Sequence, residues 1–125
     1  MSDRRSIHID GLSHQTAIPV ATRIGPLLVS SVISPFNPGT REVPPDAAGQ
    51  AANLFRHVDA MLRAGGGDWA DIAKMEFWVA NAEGRVAIEG LWIERFPDAQ
   101  LRPARHTHVG GVSQMSASFL AYIAG

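Results

Sequence analysis

Cysteine is absent from the 125 residues, which excludes disulfides, thiolate metal sites and a cysteine nucleophile together. Long apolar runs are absent too. No segment approaches the roughly 20 residues needed to cross a bilayer, and Ser6-Ile7-His8-Ile9-Asp10 is too short an apolar stretch for a secretory leader. Nor is there an excess of one charge: 11 basic and 12 acidic residues leave a formal net charge of -1, with neither sign in a run. A nucleic-acid binder gathers Lys and Arg on one face, so neither a nucleic-acid nor a membrane partner is expected. These absences predict a soluble cytoplasmic protein. What is present is a hydrophobic fraction of 46%, enough for a real core, in a chain the size of one domain, 1–125.

Residues 4–9 alternate, with Ile7 and Ile9 on one side and His8 on the other, as in a half-buried strand. Gly11 to Pro19 reads as a loop. Residues 20–24 and 27–33 read as two strands around Gly25-Pro26, a turn signal, and so as a hairpin. Four prolines (35, 38, 44 and 45) and Gly39 make 34–45 irregular. Asp46 is placed to cap a helix to about Ala64, whose Ala51, Leu54, Phe55, Val58, Met61 and Leu62 form one stripe; Gly65-Gly66-Gly67 ends it. A strand over 72–79 follows. A second helix opens at Asn81 or Ala82, with Ile88, Leu91, Trp92 and Phe96 as its buried stripe. The last strands span about 104–109 and 116–124.

The order β-β-β-α-β-α-β-β predicts an α+β two-layer sandwich, a mixed sheet with two helices on one face. The uncovered face carries Val, Leu, Ile and Phe as well, and self-association is the cheapest way to bury it. Alternation puts Thr107 on the same side of its strand as Arg105, and His106 and His108 on the other. A His-x-His pair supplies two metal ligands, which is not a site, so no metal is expected and those histidines are read as solvent-facing or interfacial.

Two stretches are more specific. Arg23-Ile24-Gly25-Pro26-Leu27-Leu28-Val29-Ser30-Ser31 and Arg102-Pro103-Ala104-Arg105-His106-Thr107 resemble, in order and spacing, the hairpin and the Pro-Ala-Arg-Ser-Thr signature of the RidA/YjgF family of reactive intermediate deaminases. The likeness runs from about residue 18 to 124. It implies a chorismate-mutase-like fold, a homotrimer with sites in the clefts between subunits, and hydrolysis of 2-imino or 2-enamino acids to 2-keto acids and ammonia without metal or organic cofactor.

On this resemblance Arg105 holds the substrate carboxylate. A planar guanidinium meets a carboxylate with two parallel charge-assisted hydrogen bonds, which fixes the neighbouring C=N carbon for attack by water. Ser30 and Ser31 correspond to the family's Ser-Gly pair, Ile18 to a pocket tyrosine and Val32 to a glutamine, giving a more apolar pocket; Thr107 and Trp92 complete the lining. The family's water-holding glutamate falls on Ala121, which cannot orient water, and Glu89 stands where relatives have an asparagine. Glu89 is therefore the candidate acid/base, or a solvated helix residue. Two functions stay open: an imine deaminase, or a carboxylate-metabolite-binding protein with little turnover. An interaction module on the same trimer is a third.

Overall fold

The computed structural model describes residues 3–124. Its elements are β1 (Arg5–Ile7), β2 (Ala21–Ile24), β3 (Leu27–Ser30), α1 (Ala47–Gly65), β4 (Ile72–Val79), α2 (Ala82–Arg95), β5 (Ala104–Val109) and β6 (Ser116–Tyr122), with 3-10 turns at Trp69–Asp71 and Ala99–Leu101. This is the order expected from the sequence. The strands form one six-stranded sheet, β1-β2-β3-β6-β4-β5. Only the β4–β5 pair is parallel, and β6 is inserted between β3 and β4.

Local chemistry sets the boundaries. Gly25 takes φ 55 between the paired Ile24 and Leu27, supplying the positive φ that a two-residue hairpin turn needs. Gly66 (φ 84) closes α1: its N–H donates to Arg63 O, and that of Gly67 to Leu62 O. Asn81 caps α2, its side chain accepting from Gly84 N–H. At the end of α1, a methyl group on Gly65 would lie 2.8 Å from the Leu28 side chain, which is fully buried. The missing Cβ lets the helix rest on the hairpin, where Arg23 Nη1 donates to Gly65 O at 2.7 Å.

The core lies between the sheet and the two helices. Leu28, Met75, Phe77, Ala117, Phe119 and Ala121 point into it from the strands, and Leu54, Val58, Met61, Ile88 and Trp92 from the helices. Phe77 stacks on Phe55 of α1 and meets Trp92 of α2 edge-on, so both helices register on one ring. The opposite face of the sheet is bare. It exposes Ile24, Leu27, Val29, Leu120 and Tyr122 across β2, β3 and β6. Its aromatics are Tyr122 and Trp78 rather than a phenylalanine, because Phe77 and Phe119 alternate to the helix side. Among the described residues no helix is long and apolar enough to cross a membrane.

Two buried polar residues lie outside the hydrophobic pattern. Asn53 donates to Pro35 O and Asn37 Oδ1, and His57, 1% exposed, donates through Nε2 to Phe36 O at 2.8 Å. They tie the proline-rich loop to α1 in place of regular structure, satisfying carbonyls that would otherwise be buried without partners. Burial lowers the pKa of His57 below 6.5, outweighing the hydrogen bond to Phe36, which acts in the opposite direction. The unfolded chain therefore binds a proton more readily than the folded one. Stability is full above the unfolded value and falls as pH drops below it towards the folded value. Thermal melts from about pH 7 to about pH 5 should show a steeper loss of Tm in the wild type than in His57→Gln. Parallel curves would mean that His57 is not the titrating group.

Candidate functional site

β5 is an edge strand, and α2 crosses its inner side. Arg105 and Thr107 lie opposite Met75 and Phe77 in the parallel register, so both face the helices. Because β5 lies at the rim, its inner side chains are half-buried rather than sealed. The Arg105 guanidinium lies over the Trp92 ring, 4.8 Å from its centroid, and Nη2 donates to Glu89 Oε1 at 2.8 Å. The Arg105 side chain is 23% exposed and that of Glu89 48%, so the acid holding the arginine opens to solvent. Arg105 Nη1 is buried and has no hydrogen-bond partner among the described residues, and the same is true of Thr107 Oγ1. A buried donor without a partner costs about 1–3 kcal/mol, more when charged. These two groups, two residues apart on one strand face, leave unmet hydrogen-bonding capacity that an acceptor such as a carboxylate could meet.

The other expected pocket residues lie elsewhere in the chain. Ser30 Oγ accepts from Phe119 N–H at 2.9 Å, extending the β3–β6 pairing past its last backbone rung. Ser31 Oγ donates to Pro19 O at 2.8 Å, and His14 Nε2 donates to Val32 O at 3.0 Å, so both serve to pin the 12–20 loop. Ile18 and Val32 are about half exposed, apolar side chains facing outward beside this loop. From β3 to β5 there are three strand spacings, at least about 14 Å. One chain therefore gathers Arg105, Thr107, Glu89 and Trp92 at one rim, whereas Ser31 and Val32 follow β3, three strands away, with the loop that carries Ile18 pinned to them.

The expectation for Ala121 needs correction. It pairs with Leu28 and Ile72, is fully buried and faces the helices. A carboxylate there would be sealed in the core, so Ala121 is no water-holding position. Its outward neighbours on β6 are Leu120 and Tyr122, and β6 carries no acidic residue on either face.

Across the sheet, on the bare side of β4 and β5, His106 and His108 lie together with their ring centroids 3.9 Å apart. Sequence reasoning missed their neighbour Glu76. Its carboxylate accepts from His108 Nε2 at 2.7 Å, and that hydrogen bond holds the Glu76 carboxyl below the usual carboxylate range. Trp78 stacks on the outer side of His108, 5.2 Å between centroids and 6° from parallel. No spacing signal in the sequence marks Glu76, because parallel pairing with β5 is what puts it opposite His106.

The fold and the edge-strand arginine define the class: a chorismate-mutase-like α+β protein with a partly buried arginine on its edge strand, ion-paired to its second helix. The chain belongs to the RidA/YjgF family, whose family model, described as Endoribonuclease L-PSP, matches residues 16–121. A RutC family protein of Haemophilus influenzae is 34% identical over 76 residues, 61% of this chain and 58% of that protein's length. Among solved structures, the YjgF gene product of E. coli superposes with a TM-score of 0.83 at 22% identity, covering 94% of this chain and 98% of that one. E. coli TdcF with bound serine gives 0.85 at 20%, covering 96% and 99%. RidA from an Antarctic Psychrobacter gives 0.84 at 19%, covering 95% and 99%. At these identities the likeness is one of fold.

Proposed function

We propose that this protein hydrolyses 2-imino or 2-enamino acids, or a closely related carboxylate-bearing intermediate, to the 2-keto acid and ammonia. The observation that carries this reading is the buried, unpartnered Nη1 of Arg105 beside the unpartnered Thr107 hydroxyl. A substrate carboxylate would accept from Nη1 and, by displacing Glu89, from Nη2 as well, making the two-pronged contact of an arginine–carboxylate pair. The Trp92 ring beneath the guanidinium keeps the fork in plane. TdcF, which shares the fold, was solved with serine, an amino acid whose carboxylate is the group assigned here to Arg105.

With the carboxylate held, the imine carbon lies one bond away, within reach of the same helix rim. Glu89, released from Arg105, is the acid on that rim. It would take a proton from the attacking water and pass it to the imine nitrogen, giving a carbinolamine; the hydroxyl proton then follows to the nitrogen as C–N breaks, C=O forms and ammonia leaves. No cofactor is needed, because the C=N carbon is already electrophilic.

The working unit in this proposal is a homotrimer. Ile18, Ser31 and Val32 lie too far from Arg105 to share a pocket within one chain, whereas the rim of a neighbouring copy would bring them to it. The exposed apolar side chains on β2, β3 and β6 supply a reason to associate.

The test is ammonia release from freshly generated 2-imino acids. The wild type should accelerate it, and Glu89→Gln should lower kcat by about a hundredfold or more while KM falls, since a competitor for Arg105 is removed. An unchanged kcat with a lowered KM would reduce Glu89 to a counter-ion and end its acid/base role. A second reading, a carboxylate-binding protein with little turnover, is favoured by the lack of any acid on β6. It predicts tight 2-keto acid binding without ammonia release.

A further inference from the structure

We propose that Glu76, His106 and His108 form a binding site for one divalent transition-metal ion of the zinc class, on the bare face of the sheet. The three residues each offer a donor atom, and these atoms all lie within 4.8 Å of one another. The site does not rest on the proposed deaminase chemistry, since alternation puts it on the opposite side of β5 from Arg105.

The backbone already fixes most of the geometry. His106 and His108 are alternate residues of β5 and project side by side, while Glu76 is the direct register partner of His106 on β4. Three side chains from two paired strands thus converge over one patch of sheet. Two imidazoles and one carboxylate are a common zinc donor set, and zinc bonds of about 2.0–2.2 Å put the donors of a tetrahedral ion roughly 3.3 Å apart. One pair, His108 Nε2 and Glu76 Oε2, is already at 2.7 Å. The remaining adjustment is a rotation of His106, which is exposed and whose ring makes no hydrogen bond among the described residues. The stack of Trp78 on His108 holds that ring in orientation, the kind of outer support that ligating histidines use.

A simple ion pair accounts for less of this arrangement. It uses His108 and Glu76 but leaves His106 packed against His108 at 3.9 Å with no polar partner. On binding, His108 gives up its Nε2 proton, to solvent from the imidazolium or by tautomeric exchange to Nδ1 from the neutral ring, and the freed lone pair and carboxylate oxygen both turn to the ion. Lys74, on the same face, carries a charge that opposes a cation, so all three donors are needed. The fourth tetrahedral position stays open to water or an anion.

Full-length protein, stripped with chelator, is titrated with Co²⁺ and then Zn²⁺ near neutral pH. The expected result is one ion per chain, with the visible absorption of low-coordinate Co²⁺ bleached by Zn²⁺. His106→Ala and Glu76→Gln should each weaken binding at least about tenfold, while His8→Ala binds as the wild type does. All these positions lie outside the core, and circular dichroism confirms the fold. Absence of uptake by the wild type, or unchanged affinity in both folded variants, overturns the site. Proton shifts give a second readout: Zn²⁺ should move the His106 and His108 ring resonances, and a response confined to His8 or His14 also sinks the proposal.

Discussion

Arg105→Lys should fold as the wild type does and lose about a hundredfold or more in kcat/KM for imine hydrolysis, with 2-keto acid binding weakened to match. The ammonium keeps the charge but has no planar fork, so the two parallel bonds to a carboxylate become one. Each charge-assisted hydrogen bond is worth about 1.5–3 kcal/mol, and misplacing the reacting carbon adds to that loss. Folding is spared because Arg105 sits at the sheet rim, and the lysine stem can still lie along Trp92. Calorimetric titration with pyruvate alongside the ammonia assay separates binding from turnover. Undiminished binding by a folded Arg105→Lys would remove the carboxylate from this position and with it the proposed chemistry.

Leu120→Glu should have the other large effect, converting the proposed homotrimer to monomers and abolishing turnover. Leu120 faces away from the helices at the middle of the bare apolar patch, between Val29 on β3 and Lys74 on β4. A glutamate there is harmless to an isolated chain, where it meets water. In an assembly that covers the patch it buries a carboxylate beside Lys74 in every copy, and taking both charges out of water costs more than their pairing returns. Light scattering gives the mass and the ammonia assay the activity. Loss of both together ties catalysis to a cleft shared by two copies. A fully active monomer would dispose of the shared cleft, and the distant loop around Ile18 would then have no place in the site.

The order of elements was legible because each carries its own local signal: the Gly25-Pro26 turn, the α1 stripe closed by glycines, and alternation in β5 that sorted Arg105 and Thr107 from His106 and His108. Features that depend on strand order were not legible. Nothing local says that β6 enters between β3 and β4, or that β5 runs parallel to β4, so Glu76 could not be matched to His106. Alternation puts Phe119 and Ala121 on one face of β6, but a central strand under two helices turns that face into the core, whereas the same face of edge strand β5 stays half open. Asn53 and His57 were invisible for a different reason. A hydrophobic stripe treats polar residues as surface, and here they are buried by bonding to a loop that has no regular structure.

The bare α-carbon of Gly65 has a consequence for engineering. Alanine is the usual choice for strengthening a helix, yet at this position it would wedge the last turn of α1 off Leu28 and strain the Arg23 tether. The hairpin runs on into Ser30, Ser31 and Val32, so the disturbance would arrive at the far rim of the proposed cleft. A helix-stabilising change there would raise local propensity and degrade ligand fit at the same time, with the ligand never meeting the altered residue.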